Sequence, residues 1–76
     1  MARKIHSNFL TLLAEKELRE KRRIKAIEIA EATGIAPSTV GRWLHDDVYK
    51  FEAAVLEAFC DYFNCGLADL LILEEV

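Results

Sequence analysis

The chain has 76 residues, of which 53 % are hydrophobic, enough for one domain with a core and too few for two domains. The net charge of −3 divides unevenly: residues 1–50 contain ten basic and seven acidic residues, whereas residues 51–76 contain six acidic residues and no basic one. No apolar run approaches the ~20 residues that a membrane-spanning helix needs, and no signal-peptide pattern is present, so we expect a single cytoplasmic domain over residues 1–76.

Apolar spacing predicts helices rather than strands, because no β-branched run alternates with period two. The first helix is expected over about Asn8–Arg22, with Ser7 as its N-cap. Within this helix Leu10, Ala14 and Leu18 recur every four residues, and we expect them to form a buried stripe.

Two short helices with a sharp corner between them follow in the sequence. The second helix is expected over about Lys25–Thr33, and Gly34 can end it in the left-handed conformation without steric cost. Pro37 suits the first turn of a third helix, where its missing N–H is no loss, and this helix should reach about His45. We expect three side chains to hold it to the core: Val40, Trp43 and Leu44.

The C-terminal half is predicted to hold two more helices after a loop over residues 45–50. The fourth helix should span about Glu52–Phe63 and end at Asn64, which readily adopts the left-handed conformation. A short fifth helix is expected over Leu67–Leu71, followed by a tail over residues 72–76 that is apolar and then acidic. The predicted fold is therefore all-α, with five helices and no strand.

The corner between the second and third helices, at about residues 25–45, indicates a helix-turn-helix. Helices joined by three or four residues bring their backbones close together, which favours small residues at Ala30 and Gly34. The outward side of the third helix then carries small or basic residues: Pro37, Ser38, Thr39, Gly41 and Arg42. A helix with such a surface fits the DNA major groove, which is about 12 Å wide.

A resemblance to a known family lies in the stretch LREKRRIKAIEIAEATGIAPSTVGRW, which follows without a gap the first three helices of Cro-like and lambda-repressor-like (XRE-type) regulators. Further on, the stretch LEAFCDYFNCGLADLL resembles the fourth and fifth helices of the small single-domain members. The resemblance covers roughly residues 8–71. It implies a compact five-helix domain that binds double-stranded operator DNA, often as a two-fold homodimer, with the third helix as the recognition helix.

The resemblance also implies which residues contact DNA. Arg42 should bond a guanine bidentately or bind phosphate, and Gly41 should allow close approach. The N-terminus of the second helix usually lies on the DNA backbone, and Lys25 and Ala26 occupy it here. The complete set of expected DNA-contacting residues is Arg22, Arg23, Lys25, Ala26, Pro37, Ser38, Thr39, Gly41, Arg42, His45 and Lys50.

This chain departs from the family pattern in three respects, which concern the glutamine clamp, the loop after the third helix and position 23. Family members often carry glutamine at the start of the second helix and early in the third, where this chain has Ala26 and Pro37. The clamp between those glutamines cannot form, so the DNA sequence read must differ or the specificity is reduced. Asp46 and Asp47 lie in a loop that often approaches phosphate, and Arg23 stands where many relatives have glycine.

Apolar residues near both ends of the chain leave two interpretations open. Those in the first helix either complete the core or join those of the C-terminal tail in a dimer surface, because exposed apolar patches usually mark contacts. The residues concerned are Phe9, Leu12, Leu13, Leu71, Ile72, Leu73 and Val76.

No sequence feature supports catalysis or a bound cofactor. There is no glycine loop for phosphate and no constellation of His, Cys and Asp of any specificity. Two cysteines are too few for a disulfide scaffold, and the two histidines are not spaced as metal ligands. We therefore expect no enzyme, no cofactor and no metal.

Two functions remain after these exclusions. The first is a DNA-binding transcriptional regulator, a bacterial or phage repressor that occludes promoter DNA. The alternative is a protein-interaction module on a helix-turn-helix scaffold, in which the acidic second half binds a partner protein, as an antitoxin binds a toxin.

Overall fold

The computed structural model describes residues 3–48 and 50–75 of the chain. In that part of the chain five helices lie between two terminal strands, in this order: β1 (Arg3–Ser7), α1 (Phe9–Glu20), α2 (Ala26–Thr33), α3 (Pro37–Leu44), α4 (Ala53–Phe63), α5 (Leu67–Leu70) and β2 (Leu71–Glu75). The five helices agree with the expected ones to within one or two residues at each end. None of the described helices has the length and apolar character to cross a membrane.

The two strands correct the prediction of an all-helical chain. They pair antiparallel, with Ile5 opposite Leu73 at the centre of the ladder. The ladder begins next to a hydrogen bond that joins the two ends of the chain: the backbone N–H of Asn8 donates to the carbonyl of Leu70 at 2.8 Å. The first pair of the ladder, Ser7 and Leu71, lies directly beside this bond. The side chain of Leu70 is fully buried, which anchors the residue that precedes β2. The start of β2 beside β1 is therefore fixed by the core.

The first helix buries a different face from the expected one. Leu10 is 49 % exposed and Leu18 is 80 % exposed, so the predicted stripe faces solvent, and Phe9 and Leu13 are buried instead. The two stripes have the same four-residue spacing and differ by one residue, or about 100° around the helix. The expected N-cap also lies one residue early: Asn8 precedes the helix, although the Ser7 hydroxyl accepts a hydrogen bond from the Phe9 N–H.

An aromatic cluster occupies the centre of the core. The ring of Phe9 lies 5.0 Å from that of Phe59, 5.3 Å from that of Phe63 and 5.9 Å from that of Trp43, measured between centroids. Val40 and Trp43 are buried as predicted, and Leu44 is half-buried. Among the described residues, the buried apolar ones are Phe9, Leu13, Ile24, Ile29, Ala30, Val40, Trp43, Phe59, Phe63 and Leu70.

Helices α1, α2 and α4 are capped by a residue in the left-handed conformation, and after α3 the left-handed residue is Asp46, which follows the cap His45. Gly34 and Asn64 were predicted to adopt this conformation, and their φ angles are 77° and 53°. Lys21 and Asp46 adopt φ of 56° and 55° without being glycine. A Cβ added to Gly34 would meet no atom within 4 Å, so glycine is needed there for its backbone conformation rather than for space.

A pair of glycine-to-alanine variants tests this interpretation. Gly34→Ala should lower the free energy of unfolding by about 1–2 kcal/mol, because alanine must then adopt a left-handed conformation. Gly41→Ala is the matched control, since its Cβ also meets no atom within 4 Å but its backbone is helical. That variant should raise the free energy of unfolding by about 0.5–1 kcal/mol. Equal effects of the two substitutions in urea denaturation would contradict the interpretation.

Candidate nucleic-acid interface

Three residues, Gly34, Ile35 and Ala36, connect α2 to α3. Gly34 ends α2 with a hydrogen bond from its N–H to the carbonyl of Ala30, at 2.9 Å. The Thr33 hydroxyl accepts a hydrogen bond from the Ile35 N–H and donates one to the carbonyl of Ile29. These two bonds tie the connection to the last turn of α2. Ile35 is half-buried against the core, so the corner cannot hinge freely. The start of α3 is therefore fixed relative to α2.

The outer surface of α3 carries most of the residues that the sequence predicts to contact bases. Pro37, Ser38 and Arg42 are exposed, and Gly41 is half-buried. At 3.6 residues per turn, positions 37, 38, 41, 42 and 45 share an arc of about 140°, opposite the buried positions 40 and 43. The structure thus brings these residues together on one face. Thr39 lies at the edge of this arc and is half-buried.

Gly41 has no packing role within the described chain. A Cβ at this position would meet no atom within 4 Å, and a glycine inside a helix costs about 0.5–1 kcal/mol relative to alanine. The fold would therefore gain from a larger residue here. Because Gly41 has no side chain, the backbone of α3 is accessible on its outer face, beside Ser38 and Arg42.

The cations around α3 differ in how strongly other residues hold them. Within residues 3–48 and 50–75, the side chains of Lys25, Arg42 and Lys50 form no ion pair. The side chain of Arg23 is 96 % exposed, and its Nε lies 3.9 Å from a carboxylate oxygen of Glu17. Arg42 and Lys50 line the same depression, together with the half-buried Thr39. These cations are available to phosphate or to base edges.

Arg22 is held by two carboxylates instead. Its Nη2 lies 2.6 Å from Glu28 and 2.8 Å from Glu20, and its Nη1 donates to Glu28 at 2.9 Å. The hydrogen bond from Arg22 lowers the pKa of Glu28, and the bond to Glu28 raises the pKa of Arg22. A DNA phosphate would therefore compete with these two carboxylates for the Arg22 guanidinium. This arrangement could not be predicted from the sequence, because the six-residue separation of Arg22 from Glu28 includes a turn.

The N-terminus of α2 presents two backbone donors. Lys25 is the N-cap in an extended conformation, and its side chain does not bond the first turn. The N–H groups of Ala26 and Ile27 precede any possible intrahelical acceptor, and such groups attract anions together with the helix dipole. Lys25 is exposed beside them. This end of α2 can accept an anion, and its contact with phosphate stays a prediction.

The segment after α3 is less favourable to phosphate. His45 is exposed as predicted, but Asp46 and Asp47 follow it and are exposed too. The Asp46 carboxylate lies 3.7 Å from Nδ1 of His6 on β1, and so faces the sheet. The N–H of Asp47 donates to the carbonyl of Arg42 at 2.9 Å, which fixes the end of the helix.

Comparison with known proteins identifies the family. No curated protein matches the chain. The crystal structure of the transcriptional regulator VanUg (Form II) is similar to this chain, with a TM-score of 0.66 and 26 % sequence identity over 99 % of this chain and 92 % of that one. The family model for the Cro/C1-type helix-turn-helix DNA-binding domain matches residues 16–75, which include α2, α3, α4, α5 and β2. The chain therefore belongs to the Cro/C1-type helix-turn-helix family of DNA-binding domains.

Proposed function

We propose that this protein is a transcriptional repressor that binds operator DNA sequence-specifically and occludes a promoter, as a bacterial or phage regulator does. The observation that carries the proposal is the outer face of α3, where Ser38, Gly41 and Arg42 lie together opposite the buried Trp43. Membership of a DNA-binding family supports it, and so does the similarity to a protein named as a transcriptional regulator.

Affinity and sequence choice come from different residues in this proposal. Lys25, Lys50 and Arg23 bind phosphates, which gives affinity that depends on salt but not on sequence. Arg42 donates to O6 and N7 of a guanine in the major groove, with Ser38 beside it. Because Ala26 and Pro37 replace the glutamines common in the family, the operator read by this chain differs from that of members with the clamp.

Removal of the Arg42 guanidinium tests the recognition surface. An operator is first selected from a random duplex library with the unmodified protein. Arg42→Ala should then weaken the specific complex by about 1–3 kcal/mol, because a bidentate base contact is lost. Arg19→Ala is the matched control: Arg19 is also exposed, but it lines a depression beside Asn64 and Cys65, away from α3. Equal losses for the two variants, measured by fluorescence anisotropy, would contradict the assignment of Arg42.

A second candidate function rests on the acidic C-terminal half. An open depression along α4 is lined by Leu56, Cys60 and Leu67, and the acidic side chains of Glu57 and Asp61 border it. Leu67 is exposed although it is apolar, as is typical of residues that contact a partner. In this alternative the chain is an interaction module, for example an antitoxin that binds a toxin.

The salt dependence of DNA binding separates the two functions. The repressor should lose affinity steeply as salt rises, with a slope of about −0.9 in log K against log salt for each phosphate contact. Binding is measured from low to physiological salt on the selected duplex and on a scrambled duplex. Absence of duplex binding at low salt would reject the repressor and leave the interaction module.

A homodimer is part of the proposed function, and the sheet is its proposed interface. Ile5 and Leu73 lie opposite each other and are 46 % and 56 % exposed, and Ile72 is also exposed. Both strands of a two-stranded sheet have an outer edge, to which a second copy can add a strand. Leu12 and Leu71 are half-buried. Phe9 and Leu13 belong to the core rather than to this surface, and Val76 lies outside the described residues.

A charge placed on the sheet tests the dimer. Leu73→Lys should shift the protein from dimer to monomer in sedimentation velocity, because a lysine cannot be buried unpaired between two copies. Leu18→Lys, on the exposed side of α1, should leave the dimer intact. Operator binding by Leu73→Lys should weaken as the dimer is lost. A protein that is monomeric before substitution would contradict this part of the proposal.

A further inference from the structure

The end of α4 brings the two cysteines of the chain together. Asn64 adopts a φ of 53°, the N–H of Cys65 donates to the carbonyl of Cys60 at 2.9 Å, and the N–H of Asn64 donates to that of Asp61 at 3.2 Å. These two bonds around a left-handed residue form a Schellman motif, in which the side chains at the positions of Cys60 and Cys65 usually meet.

The backbone distance at this motif is short enough for a disulfide. A 2.9 Å hydrogen bond between the N–H of Cys65 and the carbonyl of Cys60, together with standard bond lengths, keeps the two Cα atoms within about 7 Å of each other. Disulfides span Cα separations of about 4.4–6.8 Å. The backbone separation at this motif is therefore close to the range that a disulfide spans.

The two thiols are also accessible. Both cysteines are reduced and half-buried. Cys60 lines the open depression along α4, together with Leu56 and Leu67, whereas Cys65 lines a second depression beside Asn8. Burial raises the pKa of the Cys65 thiol, and the adjacent Cys60 thiol raises it further. Each sulfur can therefore be reached by a small solute, and each can reach the other.

We propose that Cys60 and Cys65 form a redox-reversible dithiol, which hydrogen peroxide oxidises to an intrachain disulfide across the C-terminal end of α4. The Cys60 thiolate attacks a peroxide oxygen, the O–O bond breaks, and Cys60 becomes a sulfenic acid as one water leaves. The Cys65 thiolate then attacks the Cys60 sulfur, and the S–S bond forms as a second water leaves. Together the two thiols lose two electrons and two protons, and one hydrogen peroxide takes these up to become two waters.

The position of this disulfide determines what it stabilises. It ties the last turn of α4 to the segment that leads into α5. The side-chain amide of Asn8 donates to the carbonyl of Asp69 at 3.1 Å, and the Asn8 N–H donates to the carbonyl of Leu70, so α5, which follows this segment, supports the start of the sheet. Oxidation therefore makes this part of the fold harder to open. Because burial raises the pKa of Cys65, closure is slower than with an unshifted thiol and becomes faster as pH increases.

Mass spectrometry of the whole protein treated with hydrogen peroxide tests the proposal. Residues 51–76 contain no lysine or arginine, so trypsin releases both cysteines in one peptide. That peptide should become lighter by about 2 Da, for two lost hydrogens, and dithiothreitol should restore it. Both thiols should disappear together in a titration with Ellman's reagent, and the midpoint of thermal unfolding should rise.

Single serine variants provide the controls. In Cys60→Ser and in Cys65→Ser, peroxide should produce oxygen adducts on the remaining cysteine and no rise in the unfolding midpoint. Covalent dimers of the unmodified chain, oxygen adducts on both of its cysteines, or thiols that persist while the single variants are oxidised would each overturn the proposal. These outcomes do not depend on whether the protein binds DNA.

Discussion

Packing of Trp43 against Phe9 and Phe59 is the interaction on which the rest of the structure depends. The Trp43 ring lies 5.1 Å from that of Phe59 and 5.9 Å from that of Phe9, so the inner side of α3 is held by the centre of the core. Loss of a buried tryptophan side chain costs about 3–5 kcal/mol, a large part of the 5–15 kcal/mol that stabilises a typical domain. Because a helix buries only one side, this packing leaves Ser38 and Arg42 at the surface.

The parts of the fold that could be predicted from sequence are those with local causes. The corner between α2 and α3 was predictable because Gly34 and Pro37 each act on the backbone within their own turn. The sheet was not, because β1 pairs with a segment at the other end of the chain and has no alternating pattern of its own. The buried face of α1 was missed because two stripes have equal spacing, and only contact with the aromatic cluster selects the one that contains Phe9.

In the candidate site, too, the features with local causes could be predicted from sequence, and those that depend on contacts between separate elements could not. Its outward positions were predictable once Val40 and Trp43 were placed inside, since helical periodicity then fixes the rest. The pairing of Arg22 with Glu28 was not, because it depends on the path of the turn between α1 and α2. The negative net charge is compatible with DNA binding in this structure: Glu74 and Glu75 lie opposite the basic residues of β1, and the depression that Glu57 and Asp61 border contains no residue of α3.

A titration of the ¹⁵N-labelled protein with the selected operator duplex, followed by amide chemical shifts, tests the central claim most directly. The largest shifts are expected at Ser38, Gly41 and Arg42 and at the start of α2, with little change around Leu56 and Leu67 on α4. Large shifts along α4, with α3 unaffected, would show that the exposed side of α3 is not where this protein meets DNA.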